Sequence, residues 1–306
     1  MQKQVMSLVG FSSASEIAAY KTEFPSMYYE LSYKMSKQLL SEVRPMLAGC
    51  IASVHACCPS LPIFPNFGSL DPAVLAESYD AILQSFETAR SCKADIVVLH
   101  PGYVCDSSMP SANAARKKLL DAPSFSPYIV HADGAICGPD YPKQEVYRSH
   151  ATQAFKELKN VAQLAKSYGV KLAVENLNPR VGYLFQTPQE MEQLAELDDV
   201  YLCLDVGHLW ISSFVYGFPY LPAIQRILAT QKVVNCHLHS NATNAHVQHY
   251  SDDHHTFDKY GFPAHQVLEL LLTSDANLVL EMVEDFGYNT RYLLQQITGI
   301  QHGDEE

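Results

Sequence analysis

Six short apolar runs in this chain each close on a side chain that a buried strand does not ordinarily tolerate. They are IASVH, DIVVLH, KLAVE, LCLDVGH, VVNCH and LVLE, ending at His55, His100, Glu175, Asp205 with His208, His237 and Glu281. A carboxylate or imidazole at the end of a buried apolar strand is costly unless something there binds it. One such residue would mean little. Six in succession point to a single mouth where the strands converge, and to bound cations.

Eight apolar strand candidates can be counted, near residues 5–10, 26–32, 50–55, 95–100, 171–175, 200–205, 233–237 and 277–281. Helical patterns lie between them at 71–92, 146–168, 188–196, 219–230, 262–273 and 286–298. Asp71 before Pro72 and Thr187 before Pro188 each place an N-cap ahead of a proline at the first helical position. Gly169 fits a helix C-terminus. Strands that alternate with helices predict a parallel sheet, because parallel neighbours need crossover connections. Eight such units predict one closed (β/α)₈ TIM barrel over residues 1–306, an α/β fold whose function sits at the C-terminal ends of its strands. One connection breaks the rhythm. Residues 104–145, after the fourth strand, are rich in Pro, Ser, Gly and Asp with a short helix near 111–120. A connection of about 40 residues far exceeds the usual βα loop, and its position at the mouth predicts an active-site lid.

Composition narrows the class. With 47% hydrophobic residues the chain can bury a large core. No apolar run approaches the roughly 18 residues needed to cross a bilayer, and the N-terminus lacks a secretory h-region, so no membrane partner is expected. Eight cysteines without a CxxC pair make neither a disulfide scaffold nor a zinc knuckle, and a reducing, cytoplasmic setting follows. The formal net charge is −12, with 21 basic against 33 acidic residues, and the compact basic run is Arg116-Lys117-Lys118. That balance argues against nucleic acid as a partner.

The later ligands come in pairs. A carboxylate ending a strand and an imidazole three residues on, as in Asp205-Val206-Gly207-His208, can turn into one cavity, with glycine letting the backbone bend. Asp252 and His254, at i and i+2 in the 249–256 loop, can point the same way from an extended segment. Asp253 and His255 offer the neighbouring register. Mixed imidazole and carboxylate donors suit zinc, manganese or iron(II) rather than calcium or a thiolate metal. His239, His255, Arg116 and Tyr103 are candidate substrate contacts, and Lys117 and His131 are further anion contacts on the long connection.

The ordered set His55, His100, Glu175, Asp205, His208, His237, Asp252, His254 and Glu281 resembles the endonuclease IV branch of the xylose-isomerase-like TIM-barrel superfamily, over roughly residues 5–300. The resemblance implies two or three metal ions, zinc with manganese or iron as substitutes, held by those nine residues, with Glu175, Glu281 and His254 as catalytic groups. Clustered metals favour phosphoester hydrolysis, since two cations can hold the attacking and leaving oxygens together. The chain departs from the DNA-repair pattern in its loops. ACCPSLPIFPNFGS after His55 carries no basic residue, and the 104–145 segment is foreign to it. The expectation is therefore a multinuclear metal-dependent phosphodiester hydrolase acting on a small-molecule or cofactor-like phosphoester, with a cobamide nucleotide loop as the specific substrate the superfamily suggests. One alternative is a metal-dependent sugar isomerase or epimerase, resting on Glu175, Asp205, His237 and Glu281, in which the two glutamates transfer the proton. A further alternative is an endonuclease IV-like nuclease at abasic sites.

Overall fold

The eight apolar runs pair in parallel and close on themselves. In the computed structural model, which describes residues 2–303, they are β1 (Gln4–Ser7), β2 (Tyr28–Leu31), β3 (Ile51–His55), β4 (Ile96–Leu99), β5 (Lys171–Glu175), β6 (Val200–Asp205), β7 (Val233–Leu238) and β8 (Asn277–Leu280). Each pairs with its chain neighbour, and β8 returns to β1. The predicted (β/α)₈ barrel is what forms. Parallel pairing makes every strand end on the same side, so the run-ending residues meet at one mouth. The register holds Asp205 opposite His237 and Leu238 opposite Leu280.

Period-two alternation divides the strand side chains. Val54, Val97, Leu99, Leu172, Val174, Leu202, Leu204, Leu278 and Leu280 join the large core between strands and helices. The barrel interior is filled separately, by small apolar groups such as Val98, Ala173 and Cys203. It also holds a buried polar chain. Asn277 Nδ2 donates to Asn235 Oδ1 (2.9 Å), while Asn235 Nδ2 (3.1 Å) and Ser53 Oγ (2.7 Å) both donate to Glu30 Oε2.

The helices are α1 (Ala14–Glu23), α2 (Lys37–Met46), α3 (Pro72–Cys92), α4 (Asn113–Leu120), α5 (Glu145–Ser167), α6 (Pro188–Ala195), α7 (Val206–Tyr216), α8 (Tyr220–Ala229), α9 (Ala264–Leu271) and α10 (Phe286–Gly303). Asp71 caps α3 by accepting from the Ala73 N–H, and Thr187 forms a capping box with Glu190 on α6. The helical patterns named above do not include α1, α2 and α7. Helix α7 is apolar nearly all round, so no amphipathic stripe marks it. Helix α2 carries Pro45 in its last turn.

The segment between β4 and α5 is not a bare loop. It contains α4 and a small hairpin, Ile129–His131 with Ile136–Cys137. The hairpin is stitched to the loop after β5: Cys137 N–H donates to Pro179 O (2.9 Å) and Val181 N–H to Ala135 O (2.9 Å). Met109, Leu120, Phe125, Ile136 and Tyr141 of the segment are buried.

Candidate metal centre

All nine predicted ligands converge at the C-terminal mouth. Together with His239 they fall into three groups, within each of which the donor atoms lie within 4.8 Å of one another: Glu175, Asp205, His237 and Glu281; His55, His100 and Glu175; and His208, His239, Asp252 and His254. Glu175, fully buried at the end of β5, is shared by the first two.

Three of the imidazoles are tied down on one side and offer the other nitrogen inward. His55 Nδ1–H donates to the Ala56 carbonyl (2.7 Å), His208 Nδ1–H to the Asn176 carbonyl (3.0 Å) and His254 Nδ1–H to the Glu281 carbonyl (2.8 Å). A carbonyl can only accept, so the opposite Nε2 carries the lone pair. That lone pair faces carboxylate oxygens: His55 Nε2 is 3.4 Å from Glu175, His208 Nε2 3.4 Å from Asp252, and His254 Nε2 3.5 Å from Asp252. Lone pairs facing lone pairs repel unless a proton or a cation stands between them. Histidine ligands to metals are held by this same device.

The centre is the clearest case. His237 is fully buried; its Nδ1 lies 3.1 Å from Glu281, 3.6 Å from Glu175 and 3.8 Å from Asp205, and its Nε2 3.1 Å from Glu30. Neither nitrogen is aligned for a hydrogen bond, and Glu175 Oε2 and Glu30 Oε1 also lack one. A native interior rarely leaves such groups unsatisfied. A divalent cation among Glu175, Asp205, His237 and Glu281 would satisfy His237 Nδ1 and Glu175 Oε2, leaving the proton on Nε2 to face Glu30, so the donor set fits a metal.

Electrostatics agrees. Burial would raise the carboxyl pKa of Glu175 and of Glu281, but His237 beside both holds them well below the usual range. Burial would likewise lower His208 and His237. For His208, Asp205 and Asp252 win; for His237, Cys203, Glu281 and Glu30 win, and both stand well above their ordinary value. In the absence of metal, protonated histidines are the counter-charge to a cluster of carboxylates. His100 differs, since burial pushes it down to about 3 and leaves it a neutral donor.

Local backbone explains the paired ligands. Asp205 is the N-cap of α7, accepting from the His208 N–H (2.6 Å), so the two lie one helical turn apart. Gly207 is not there to bend the chain, as its position between them suggested. A Cβ on it would lie 2.2 Å from the His239 ring, and glycine allows that ring to approach. In the 249–256 loop the register is settled. Asp252 and His254 face the centre, with His254 at φ 51°, left-handed backbone that a side chain rarely adopts. Asn178 Nδ2 holds Asp252 Oδ2 at 2.7 Å. Asp253 turns away to Ser251, and His255 to Glu284 (2.9 Å).

The mouth opens into a cavity of about 790 Å³ lined by His55, His100, Glu175, His208, Asp252, His254 and Glu281, a volume ordinary for small-molecule sites. Of the candidate substrate contacts, Arg116 lines it; Tyr103, His239 and His255 do not. Tyr103 is buried with its hydroxyl 3.2 Å from His100 Nδ1, and orients that ring. His239 is buried, donates from Nε2 to Asp205 Oδ1 (3.1 Å) and stacks on His254 with ring centroids 3.9 Å apart. Lys117 lines the cavity; His131 packs on Tyr250 instead. Glu30 was missed by sequence reading, although a carboxylate within the buried run Tyr28–Leu31 carries the same signal as Glu175.

A family model described as a xylose isomerase-like TIM barrel matches residues 23–299. An uncharacterised protein of Methanocaldococcus jannaschii is 20% identical over 176 residues, which cover 58% of this chain; the match spans about half, 52%, of that relative's length. Among solved structures, a D-tagatose 3-epimerase-like protein superposes with a TM-score of 0.70 at 17% identity, covering 99% of both chains. A D-psicose 3-epimerase from Clostridium cellulolyticum H10, solved with D-tagatose, gives 0.63 at 12% identity, over 98% of this chain and 99% of that one. An L-ribulose 3-epimerase gives 0.62 at 16% identity, over 97% of this chain and 86% of that one. These neighbours overturn the expectation of a phosphodiester hydrolase, and with it the cobamide substrate. The ligand set alone suggested hydrolysis because clustered metals serve that chemistry.

Proposed function

The chain belongs to the xylose isomerase-like TIM-barrel family, and from that premise we propose that it is a metal-dependent isomerase or epimerase of a sugar or related hydroxy-carbonyl compound. The observation that carries this reading is the quartet of Glu175, Asp205, His237 and Glu281, donor atoms within 4.8 Å of one another, at the ends of four adjacent strands. A divalent ion of zinc, manganese or iron held there would polarise the carbonyl and its neighbouring hydroxyl. The chain's own residues do the rest. Glu175 and Glu281 are kept ionised by His237 and stand on different strands. One, ionised, takes the proton from the carbon beside the carbonyl as the electron pair moves onto the carbonyl oxygen; the other, having first taken up a proton from solvent, gives it to carbon and is left ionised. Return at the same carbon from the opposite face inverts it; return at the neighbouring carbon, with the hydroxyl proton passing to the former carbonyl oxygen, moves the carbonyl. Asp205, held by His239 and the α7 N-terminus, positions the quartet. The 104–145 segment supplies cavity wall through Asn113, Arg116 and Asp133, and we assign substrate selection to it. The two flanking donor groups offer positions for further ions. In D₂O, metal-loaded protein given a panel of ketoses and their phosphates should wash deuterium into the carbon beside the carbonyl. Glu175→Gln and Glu281→Gln should each slow this by about 10²–10⁴-fold. No exchange with any member of the panel would overturn the reading.

A further inference from the structure

The cavity beyond the carboxylates changes character. Tyr33, Phe64 and Tyr183 line it, and each packs toward the metal-side histidines. Tyr33 lies 5.3 Å from the His55 ring, Phe64 5.5 Å from His100, and Tyr183 5.4 Å from Tyr103, whose hydroxyl meets His100. On each of these three rings rests a cation. Lys34 Nζ is 5.8 Å from Tyr33, the Arg116 guanidinium carbon 5.2 Å from Phe64, and that of Arg180 5.7 Å from Tyr183. All three cations line the cavity. Among the described residues none has a carboxylate within 4.0 Å, whereas Lys117 beside them is paired with Asp121 at 2.9 Å.

Arg116 is the telling member. It is only 8% exposed, its Nε has no hydrogen-bond partner, and its terminal nitrogens meet only neutral oxygens of Pro110, Ser111 and Asn113. A guanidinium taken that far out of water without an anion is costly. Arg180 is held similarly, with Nε donating to Gly134 O (2.8 Å) of the inserted segment. In a chain of net charge −12, three cations spared from ion pairs and gathered around one cavity are a feature of that cavity.

We propose that this wall is an anion subsite, and that the substrate is a sugar carrying a phosphate or carboxylate at the end remote from the reacting carbon. This rests on the isomerase reading of the metal end. Aromatic rings suit the C–H faces of a carbohydrate, and arginine forks suit a terminal oxyanion.

The test is titration of the metal-loaded protein with inorganic phosphate and, separately, acetate, followed by calorimetry. Phosphate held by the metals alone is indifferent to the arginines. The expected result is saturable binding that Arg116→Gln and Arg180→Gln each weaken about tenfold or more, with the exposed Lys118→Gln unchanged. Arg180→Gln keeps the test alive if the buried Arg116 variant fails to fold. Phosphate binding alone assigns a phosphorylated sugar, and acetate binding with the same dependence a sugar acid. Absence of binding, or binding that neither arginine variant alters, overturns the subsite. Turnover separates the two readings. Arginine-dependent anion binding without isotope exchange in any sugar keeps the subsite and removes the isomerase. Exchange on neutral sugars with no anion binding does the reverse.

Discussion

Replacing Glu30 by glutamine tests whether the buried polar chain inside the barrel sets the metal affinity of His237. Glu30 Oε2 accepts from Ser53 and Asn235, and Oε1 faces His237 Nε2 at 3.1 Å. Glutamine has nearly the same shape but only one acceptor oxygen. If its oxygen faces Ser53 and Asn235, its NH₂ confronts the His237 N–H. If it faces His237, the NH₂ confronts two donors. Ser53 can rotate its hydroxyl away; the imidazole and the Asn235 amide cannot do so without giving up other contacts. Either orientation therefore leaves a buried donor unsatisfied, at a cost of about 1–3 kcal/mol. The penalty is greatest with metal bound, because Nδ1 is then committed to the ion and the ring cannot turn. At about 1.4 kcal/mol per decade the metal should bind roughly ten- to a hundredfold more weakly, the range seen for groups that orient ligands. Competition against a chelating dye measures this, with thermal unfolding as the control for folding, and Glu30→Asp should fall between. A folded Glu30→Gln protein with wild-type metal affinity would refute the argument.

Elemental analysis of protein loaded with excess zinc should return more than one ion per chain, and His100→Ala and His254→Ala should each lower it without unfolding; a single ion kept by both variants would confine metal to the quartet. The metal-free protein should lose stability as pH rises. The pKa values of His208 and His237 are raised above the ordinary 6.5, so their contribution is full below that value and disappears as pH climbs through the raised ones. Glu175, Asp252 and Glu281 are depressed, and their contribution is lost only on acidification through the lowered values. Melting temperature should therefore fall from near pH 6 towards pH 9 without metal and stay flatter with it; a rise over that range in the metal-free protein would contradict the charge argument. An abasic duplex should be bound weakly and cut little, given the acidic chain and the uncharged loop after His55; efficient incision lost in Glu281→Gln would reverse that.

The barrel was legible because six of the eight strands combine an apolar run with a terminal ligand-type residue, two signals that agree. Capped helices were legible for the same reason, Asp71-Pro72 and Thr187-Pro188 being local chemistry. Helix α7 was not, because Val206–Tyr216 buries most of its surface and shows no 3.6-residue stripe. The nine ligands could be picked from strand ends, but the side chains that orient them could not. His239 and Asn178 act on partners 34 and 74 residues away in sequence, and Tyr103, three residues past His100, reads as a substrate contact rather than as the group that orients that ring. Glu30 was readable by the rule that found Glu175, and was hidden only by lying inside its run rather than at its end.

Function was the least legible part, and the reason is chemical. A metal held by Glu175, Asp205, His237 and Glu281 would serve proton transfer beside a carbonyl as well as hydrolysis, so ligand identity cannot separate the two. What separates them is the space around the site. A substrate must place a carbonyl at the quartet, lie against Tyr33, Phe64 and Tyr183, and reach Arg116 and Arg180 with its far end. The charges divide in the same way, with carboxylates that need a cation at the strand ends and arginines that need an anion on the wall. A cation bound at the strand ends neutralises the carboxylates that would otherwise repel an anionic substrate. Metal loading should therefore strengthen binding of the anion at the wall, even for an anion that never touches the metal.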